Sequence, residues 1–294
     1  MKNFLFGLWY CPVFFVLTVA AGLVTLAVSL FSKKASRFIT SQVWAAIVLD
    51  PAGIKIEVRG LENLPAGGGY IIFANHRSLL DIPAAARSTG RSISWIAKAA
   101  LGRIPIFGWT LRRVHLLVDR GGGADAAKQM VKEASGRLAA GEIMSIFPEG
   151  TRNKTDQPLL PFKKGAFILA KHTGVPLVPL ALYNTGRLWP QGRFLPKSGR
   201  ILASIGRPLK ADPREPLGVL AKKAQKILED LYLELESQSP EKPPENGKPP
   251  ENERPSESGK PPENEKPPEN EKPPENERPP ESGKPPEAEK PPAG

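Results

Sequence analysis

The sequence predicts an α/β domain: a largely parallel sheet covered by helices, with an N-terminal membrane helix or re-entrant helical motif and a disordered C-terminal tail. Three observations carry this expectation. Between residues 54 and 205, short apolar runs of strand length alternate with stretches of helical periodicity, the pattern of parallel strands joined by helices. From Phe4 to Phe31 no charged residue occurs. From residue 240 onward Lys or Arg returns at every sixth position, and Val, Ile, Leu and aromatic residues are absent.

The apolar N-terminal run has the length of a membrane segment. Its 28 residues would extend about 42 Å as a helix, more than the roughly 30 Å hydrocarbon core of a bilayer. The expectation is a tilted span, or a re-entrant helix interrupted near Pro12, with Trp9 and Tyr10 placed for an interface. Lys33, Lys34 and Arg37 follow the run and only Lys2 precedes it, so the positive-inside rule puts the following domain in the cytoplasm. The alternative is a cleaved signal peptide, but the run is long for one and no clear small-x-small cleavage site precedes Lys33. Residues 38–49 mix apolar and hydroxyl side chains and suit a second helix, either in the interface or within the domain.

Strands are expected at 54–58, 70–74, 93–97, 114–118, 143–147, 177–182 and 201–205. Helices are expected at 79–88, 124–140 and 162–172, and a long amphipathic helix at 216–238 closes the domain. The chain therefore divides into an anchoring segment (1–50), an α/β domain (51–238) and a tail (239–294). The tail repeats a unit close to Lys-Pro-Pro-Glu-Asn-Glu and lacks the apolar residues a core needs, so it reads as solvated chain of polyproline character whose partner, if any, is unknown.

Charge separates the same parts. The formal net charge is +11. Residues 240–294 carry nine basic and fourteen acidic residues, net −5, so residues 1–239 carry 32 and 16, net +16. A domain this basic prefers anionic partners such as phosphates or acidic lipid surfaces. No nucleic-acid module is recognisable, so nucleic acid is not expected as a partner. Cys11 is the only cysteine, which excludes an intramolecular disulfide, and three histidines without a Cys/His cluster predict no metal.

Four blocks carry the chemistry. In the first, the apolar run Tyr70–Ala74 ends in Asn75-His76-Arg77-Ser78-Leu79-Leu80-Asp81. His76 and Asp81 are five positions apart, too far to share one helical face, so His76 should lie in a loop and Asp81 in the first turn of a helix. Neutral imidazole takes a proton from a hydroxyl near pH 7, and a nearby carboxylate fixes its tautomer and stabilises the imidazolium. Ser78 and Asp81 have capping-box spacing, and Pro83 is tolerable only near a helix start. In the second, Phe147-Pro148-Glu149-Gly150-Thr151-Arg152 follows another apolar run; Gly150 permits a tight turn, and Arg152 offers a planar fork to a phosphate. Lys163-Lys164-Gly165 downstream sits at a helix start, where an anion is also favoured. Val118-Asp119-Arg120 is the third block. Val175-Pro176-Leu177-Val178-Pro179, the fourth, has no ionisable group and reads as a wall of the site. His115, within a strand candidate, and His172, near a helix end, read as structural.

In order and spacing these blocks resemble the glycerolipid acyltransferases, specifically the bacterial 1-acylglycerol-3-phosphate acyltransferases. Residues 75–81 match that family's NHxxxxD motif, 118–120 the end of its second motif, 147–152 its FPEGTR motif in full, and 175–179 its fourth. The resemblance covers roughly residues 40–210 and does not reach the tail.

It implies a mechanism. His76 would remove the proton from the free hydroxyl of lysophosphatidic acid as that oxygen attacks an acyl thioester, and Asp81 would hold His76. Arg120 and Arg152 would bind the acceptor phosphate, with Lys163 or Lys164 assisting. Gly150 and Thr151 would complete that substrate loop, and Glu149 would contact the acceptor, or pair with an arginine and shape the turn. The co-substrate would be acyl-coenzyme A or acyl-acyl carrier protein, with no bound cofactor. The product would be phosphatidic acid, made at the inner membrane of a bacterium with the domain facing the cytoplasm. No enzyme nucleophile is implied, and no GxSxG elbow is present. The acceptor could instead be glycerol 3-phosphate or another lysolipid such as a lyso-ornithine lipid. The rival classes are a thioester or ester hydrolase and a membrane-tethered scaffold presenting the tail.

Overall fold

The computed structural model describes residues 2–119 and 123–239. The hexad repeats and Arg120 lie outside the described residues.

Helix α1 (Lys2–Val28) runs unbroken through Pro12. Its segment Phe6–Val28 is the one helix, among the described residues, long and apolar enough to cross a membrane. Contacts fix it to the domain at both ends. Tyr10 Oη donates to the Val48 carbonyl at 3.0 Å, Thr110 Oγ1 to that of Gly22 at 3.3 Å, and Arg113 Nε to Ser29 Oγ at 3.1 Å. Helix α2 (Lys33–Phe38) passes through a π-helical turn (Ile39–Val43) into α3 (Trp44–Leu49). Ala45, Val48 and Leu49 are buried, and Ser41 Oγ accepts the Ile93 N–H at 3.0 Å. The expected second helix is thus a domain helix over its C-terminal half.

The strands are β1 (Ile54–Arg59), β2 (Tyr70–Ala74), β3 (Ile93–Lys98), β4 (Leu116–Val118), β5 (Ile143–Ile146), β6 (Leu177–Tyr183) and β7 (Gly199–Ile205). Among the described residues they form one sheet, ordered β1-β7-β6-β2-β5-β3-β4, parallel throughout except for the antiparallel pair β6–β7. Central β2 is buried on both faces, which is why it reads as an unbroken apolar run. Tyr70, Ile72 and Ala74 face α3 and α4 (Asp81–Thr89), while Ile71 and Phe73 face the layer of α6 (Gly123–Ala139), α7 (Gly165–Thr173) and α9 (Leu217–Gln238). A short α8 (Thr185–Leu188) follows β6.

Every expected strand is present, with one correction. Residues 107–114 form helix α5 (Phe107–Val114), so Val114 and His115 leave the strand and β4 keeps three residues. Phe107, Leu111 and Val114 follow helical spacing, and Leu111 and Val114 are buried against the sheet.

Candidate active site

The topology brings the first two blocks together. The chain leaves β2 toward β3, returns to β5 beside β2, then crosses to β6 on the other flank. Such a reversal opens a crevice at the C-terminal ends of the strands. Phe73 pairs with Ile146, so His76 and Glu149 each lie three residues beyond a matched pair on adjacent parallel strands. Asn75 closes the strand end: its side-chain amide both donates to the Leu182 carbonyl and accepts the Leu182 N–H, each at 2.8 Å, extending the β2–β6 ladder.

His76 lies in the loop and Asp81 opens α4, as expected. Asp81 is fully buried, and its Oδ2 accepts from His76 Nδ1 at 2.7 Å, from the Arg77 N–H at 2.6 Å and from the Ser78 N–H at 2.7 Å. A carboxylate oxygen on Nδ1 requires the ring proton there, which leaves the lone pair on Nε2. The imidazole is 17% exposed, so a substrate hydroxyl can reach it. Phe147 stacks on the ring at 4.1 Å between centroids, and Trp95 stacks on Phe147 at 6.0 Å. Only half of the capping box forms. Asp81 receives the Ser78 N–H, but Ser78 Oγ accepts from Leu80 N–H and donates to the Trp189 carbonyl.

Glu149 is 2% exposed. Its Oε1 accepts the His76 N–H at 2.7 Å and its Oε2 the Leu160 N–H at 2.9 Å. Burial pushes its pKa up, and these two N–H donors pull it back. Both oxygens therefore face backbone, and the arginine pairing left open by the sequence is not made among the described residues. The His76 carbonyl is held from the other side by the Asn153 N–H at 2.6 Å. Asn153 is itself buried and organises the loop that follows: Nδ2 donates to the Gln157 carbonyl, and Oδ1 accepts from Thr155 N–H and Oγ1. Arg77 straps this loop, donating to the carbonyls of Thr155 at 2.7 Å and Gln157 at 2.9 Å, with its guanidinium 5.9 Å from the Tyr232 ring centre on α9. Sequence reasoning passed over Asn75, Arg77 and Asn153: the side-chain partners of Asn75 and Arg77, and the His76 carbonyl met by the Asn153 N–H, lie far along the chain.

Of the expected phosphate residues, Gly150, Thr151, Arg152 and Lys163 fall within the described residues, and Arg120 lies outside them. Gly150 has φ 72°, and a Cβ there would stand 2.8 Å from Lys163 Cδ, so the Lys163 stem crosses over this turn. Thr151 is exposed and Arg152 half-exposed, and no carboxylate among the described residues pairs with Arg152. Lys163 and Lys164 precede α7 as expected.

The fourth block forms the entry and first half of β6, beside β2. Val178 and Pro179 pair with Ile72 and Phe73, and the Pro176 carbonyl accepts the Ile71 N–H. Val175–Pro179 thus enters the sheet and begins β6, with Pro179 level with Phe73 near the C-terminal end of β2, and its prolines stiffen strand entry. His115 is buried as a structural residue: its Nδ1 accepts the Trp95 N–H at 3.2 Å.

The comparisons agree with this geometry. An acyltransferase family model matches residues 55–183. A chloroplastic 1-acyl-sn-glycerol-3-phosphate acyltransferase of Brassica napus is 36% identical over 55% of this chain and 46% of its own. Enzymes of that name from Pseudomonas aeruginosa (33%, covering 60% of this chain and 67% of theirs) and Helicobacter pylori (30%, 59% and 72%) also match. The chain spans about half the length of the chloroplast relatives it matches. The crystal structure of the 1-acyl-sn-glycerophosphate acyltransferase of Thermotoga maritima superimposes with TM-score 0.69 and 25% identity, over 82% of this chain and 98% of that one. With the same fold, and bacterial relatives at least 30% identical aligned over two thirds or more of their length, this chain belongs to the acyltransferase family.

Proposed function

We propose that the protein transfers an acyl group from a thioester, acyl-coenzyme A or acyl-acyl carrier protein, to the free sn-2 hydroxyl of lysophosphatidic acid, giving phosphatidic acid. The observation that carries this reading is the 2.7 Å bond from His76 Nδ1 to the buried Asp81 carboxylate, which leaves Nε2 basic and accessible beside a cationic rim. His76 Nε2 takes the hydroxyl proton as the oxygen attacks the thioester carbonyl. The tetrahedral intermediate expels the thiolate, and the imidazolium returns its proton to the leaving sulfur. Asp81 stabilises the transient imidazolium. Arg152 and Lys163, with Arg120, bind the acceptor phosphate. Glu149 fixes the His76 backbone, a more economical account of its geometry than acceptor contact. The apolar face of α1 supports association with a membrane, which we place at the bacterial inner membrane with the domain on the cytoplasmic side.

The test is product analysis with a labelled acyl thioester and lysophosphatidic acid or glycerol 3-phosphate in parallel, beside a His76→Ala control. Phosphatidic acid made only from lysophosphatidic acid, and lost in the control, is the expected result. Acylation of glycerol 3-phosphate, or of a lyso-ornithine lipid alone, would replace the acceptor. Free fatty acid as the sole product would replace the transferase with a hydrolase. Near-normal turnover by His76→Ala would remove the base.

A further inference from the structure

Two segments at the catalytic edge of the sheet hold none of the residues given a role in the reaction above and expose large apolar side chains. In the β3–β4 connection these are Leu101, Ile104 and Trp109, the last 56% exposed; in the β6–β7 connection Phe194 is 80% exposed. Both segments are purely basic. Residues 98–114 hold Lys98, Arg103, Arg112 and Arg113, and residues 186–200 hold Arg187, Arg193, Lys197 and Arg200, with no acidic residue in either.

Each segment is seated on α1, one near each end. Ile106 packs so closely on Gly22 that a Cβ there would lie 3.0 Å from its Cγ2, and Leu195 so closely on Gly7 that the distance would be 2.7 Å. Ile106 is bent into a positive-φ turn (φ 60°, ψ −62°) in which the Phe107 N–H donates to the Pro105 carbonyl at 2.6 Å. A β-branched residue holds this strained conformation only where its surroundings impose it, and here α1 is that surrounding. Fifteen helical residues separate Gly7 from Gly22, about 22 Å. Four strand spacings separate β7 from β3, about 19 Å. Helix α1 therefore reaches from the β6–β7 connection to the β3–β4 connection, and β2, whose end carries His76, lies midway between β7 and β3 in the sheet. The outward side of α1 is also apolar, with Phe15 and Val16 exposed.

We propose that these two connections are membrane-seating elements. Trp109 with its neighbours, and Phe194, enter the interface of an anionic bilayer at either end of α1, while the surrounding cations meet its headgroups. A lipid surface is the occupant because the exposed side chains continue the apolar face of α1 and sit on segments whose own ionisable residues are all basic, although Arg200 pairs with Glu57 of β1; apolar side chains beside cations suit an interface rich in acidic lipid. The proposal rests on membrane association of α1 and not on the reaction. Its consequence is that the His76 crevice is held facing the headgroup layer.

The experiment uses the full chain carrying Cys11→Ser with single cysteines at Trp109→Cys, Phe194→Cys or, at the opposite edge of the sheet, Glu62→Cys. Each is labelled with an environment-sensitive fluorophore and mixed with vesicles of phosphatidylglycerol and phosphatidylcholine with brominated chains. Probes at 109 and 194 should both be quenched several-fold more than the probe at 62. Quenching at either position no greater than at 62 overturns the proposal. In the otherwise unaltered chain, Trp109→Glu and Phe194→Glu should each weaken partition into these vesicles on the order of tenfold. Turnover of detergent-dispersed substrate should stay within about twofold of the parent, since neither residue lies in the reacting site. Unchanged partition overturns the proposal, including the case in which these cations serve the anionic acyl donor instead.

Discussion

Glu149 accepts the backbone N–H of His76 at 2.7 Å across two adjacent parallel strands, while Asp81 accepts from the side chain of the same histidine at 2.7 Å. Two buried carboxylates thus act on one residue, one on its main chain and one on its ring. The first determines where the imidazole stands; the second determines which nitrogen is free.

Glu149→Gln should expose this positioning role. Glutamine keeps one acceptor oxygen, but its NH₂ would face a backbone N–H, so one of the two bonds is lost. A small misplacement of the base should lower kcat on the order of 10²-fold, with little change in KM for the acceptor. Steady-state kinetics decides the matter: a raised acceptor KM with unchanged kcat would put Glu149 in the binding site instead.

Asp81→Asn retains an oxygen for the Arg77 and Ser78 N–H groups but removes the charge facing the imidazolium. The expected loss is about three to four orders of magnitude in kcat, the scale seen when the carboxylate of a His-based triad is neutralised. The thermal midpoint should move little beside that loss. A kcat within tenfold of the parent would show that Asp81 holds the loop and contributes no electrostatic stabilisation.

The strands and the His76–Asp81 pair were legible because their signals are local. β2 and β6 are uninterrupted apolar runs buried on both faces, and the five-residue spacing is long enough to separate loop from helix. Helix α5 was not legible: Pro105 and Gly108 punctuate its start, and Val114 joins apolar residues that continue into β4. The place of Val175–Pro179 was not legible for a different reason. Sequence order does not say which edge of the sheet a strand entry faces, and only the β2–β6 register does. The roles of Asn75 and Arg77 depend on side-chain partners 78 to 107 positions away, a separation at which residue type carries no signal, and Asn153, whose side-chain bonds are local, reaches the site only through its N–H on the distant His76 carbonyl.

Arg77 should matter through the loop it straps. Arg77→Ala removes the bonds to the carbonyls of Thr155 and Gln157 and uncovers the Tyr232 ring. Amide exchange at Asn153 should then accelerate at least about tenfold, since a charged hydrogen bond contributes roughly 1.5–3 kcal/mol. Arg77→Lys should recover only part of the protection, because an ammonium cannot reproduce the planar fork. Exchange at Asn153 unchanged in both variants would show that the loop holds itself.

Arg152→Ala should act on binding. A half-exposed guanidinium with no carboxylate partner among the described residues is available to a phosphate. Losing one charge-assisted contact should raise the acceptor KM about tenfold to a hundredfold while kcat stays near the parent value. If KM and kcat for the acceptor are both unchanged, the phosphate is bound elsewhere.

His115 should make the fold sensitive to mild acid. Its Nδ1 accepts the Trp95 N–H, and Arg137 and Arg37 lie nearby, Arg37 paired with Glu142 at 2.7 Å. Burial, then the charges of Arg137 and Arg37, push its pKa from 6.5 down to about 3. The unfolded chain therefore takes up a proton below about pH 6.5 that the folded chain refuses down to about pH 3, and stability falls as pH falls through that window. His115→Gln offers an oxygen to the same N–H without a titrating group. Between pH 7 and pH 5, above the range where most carboxylates titrate, its thermal midpoint should fall less than that of the parent. Equal slopes in the two proteins would mean that His115 does not govern this acid sensitivity.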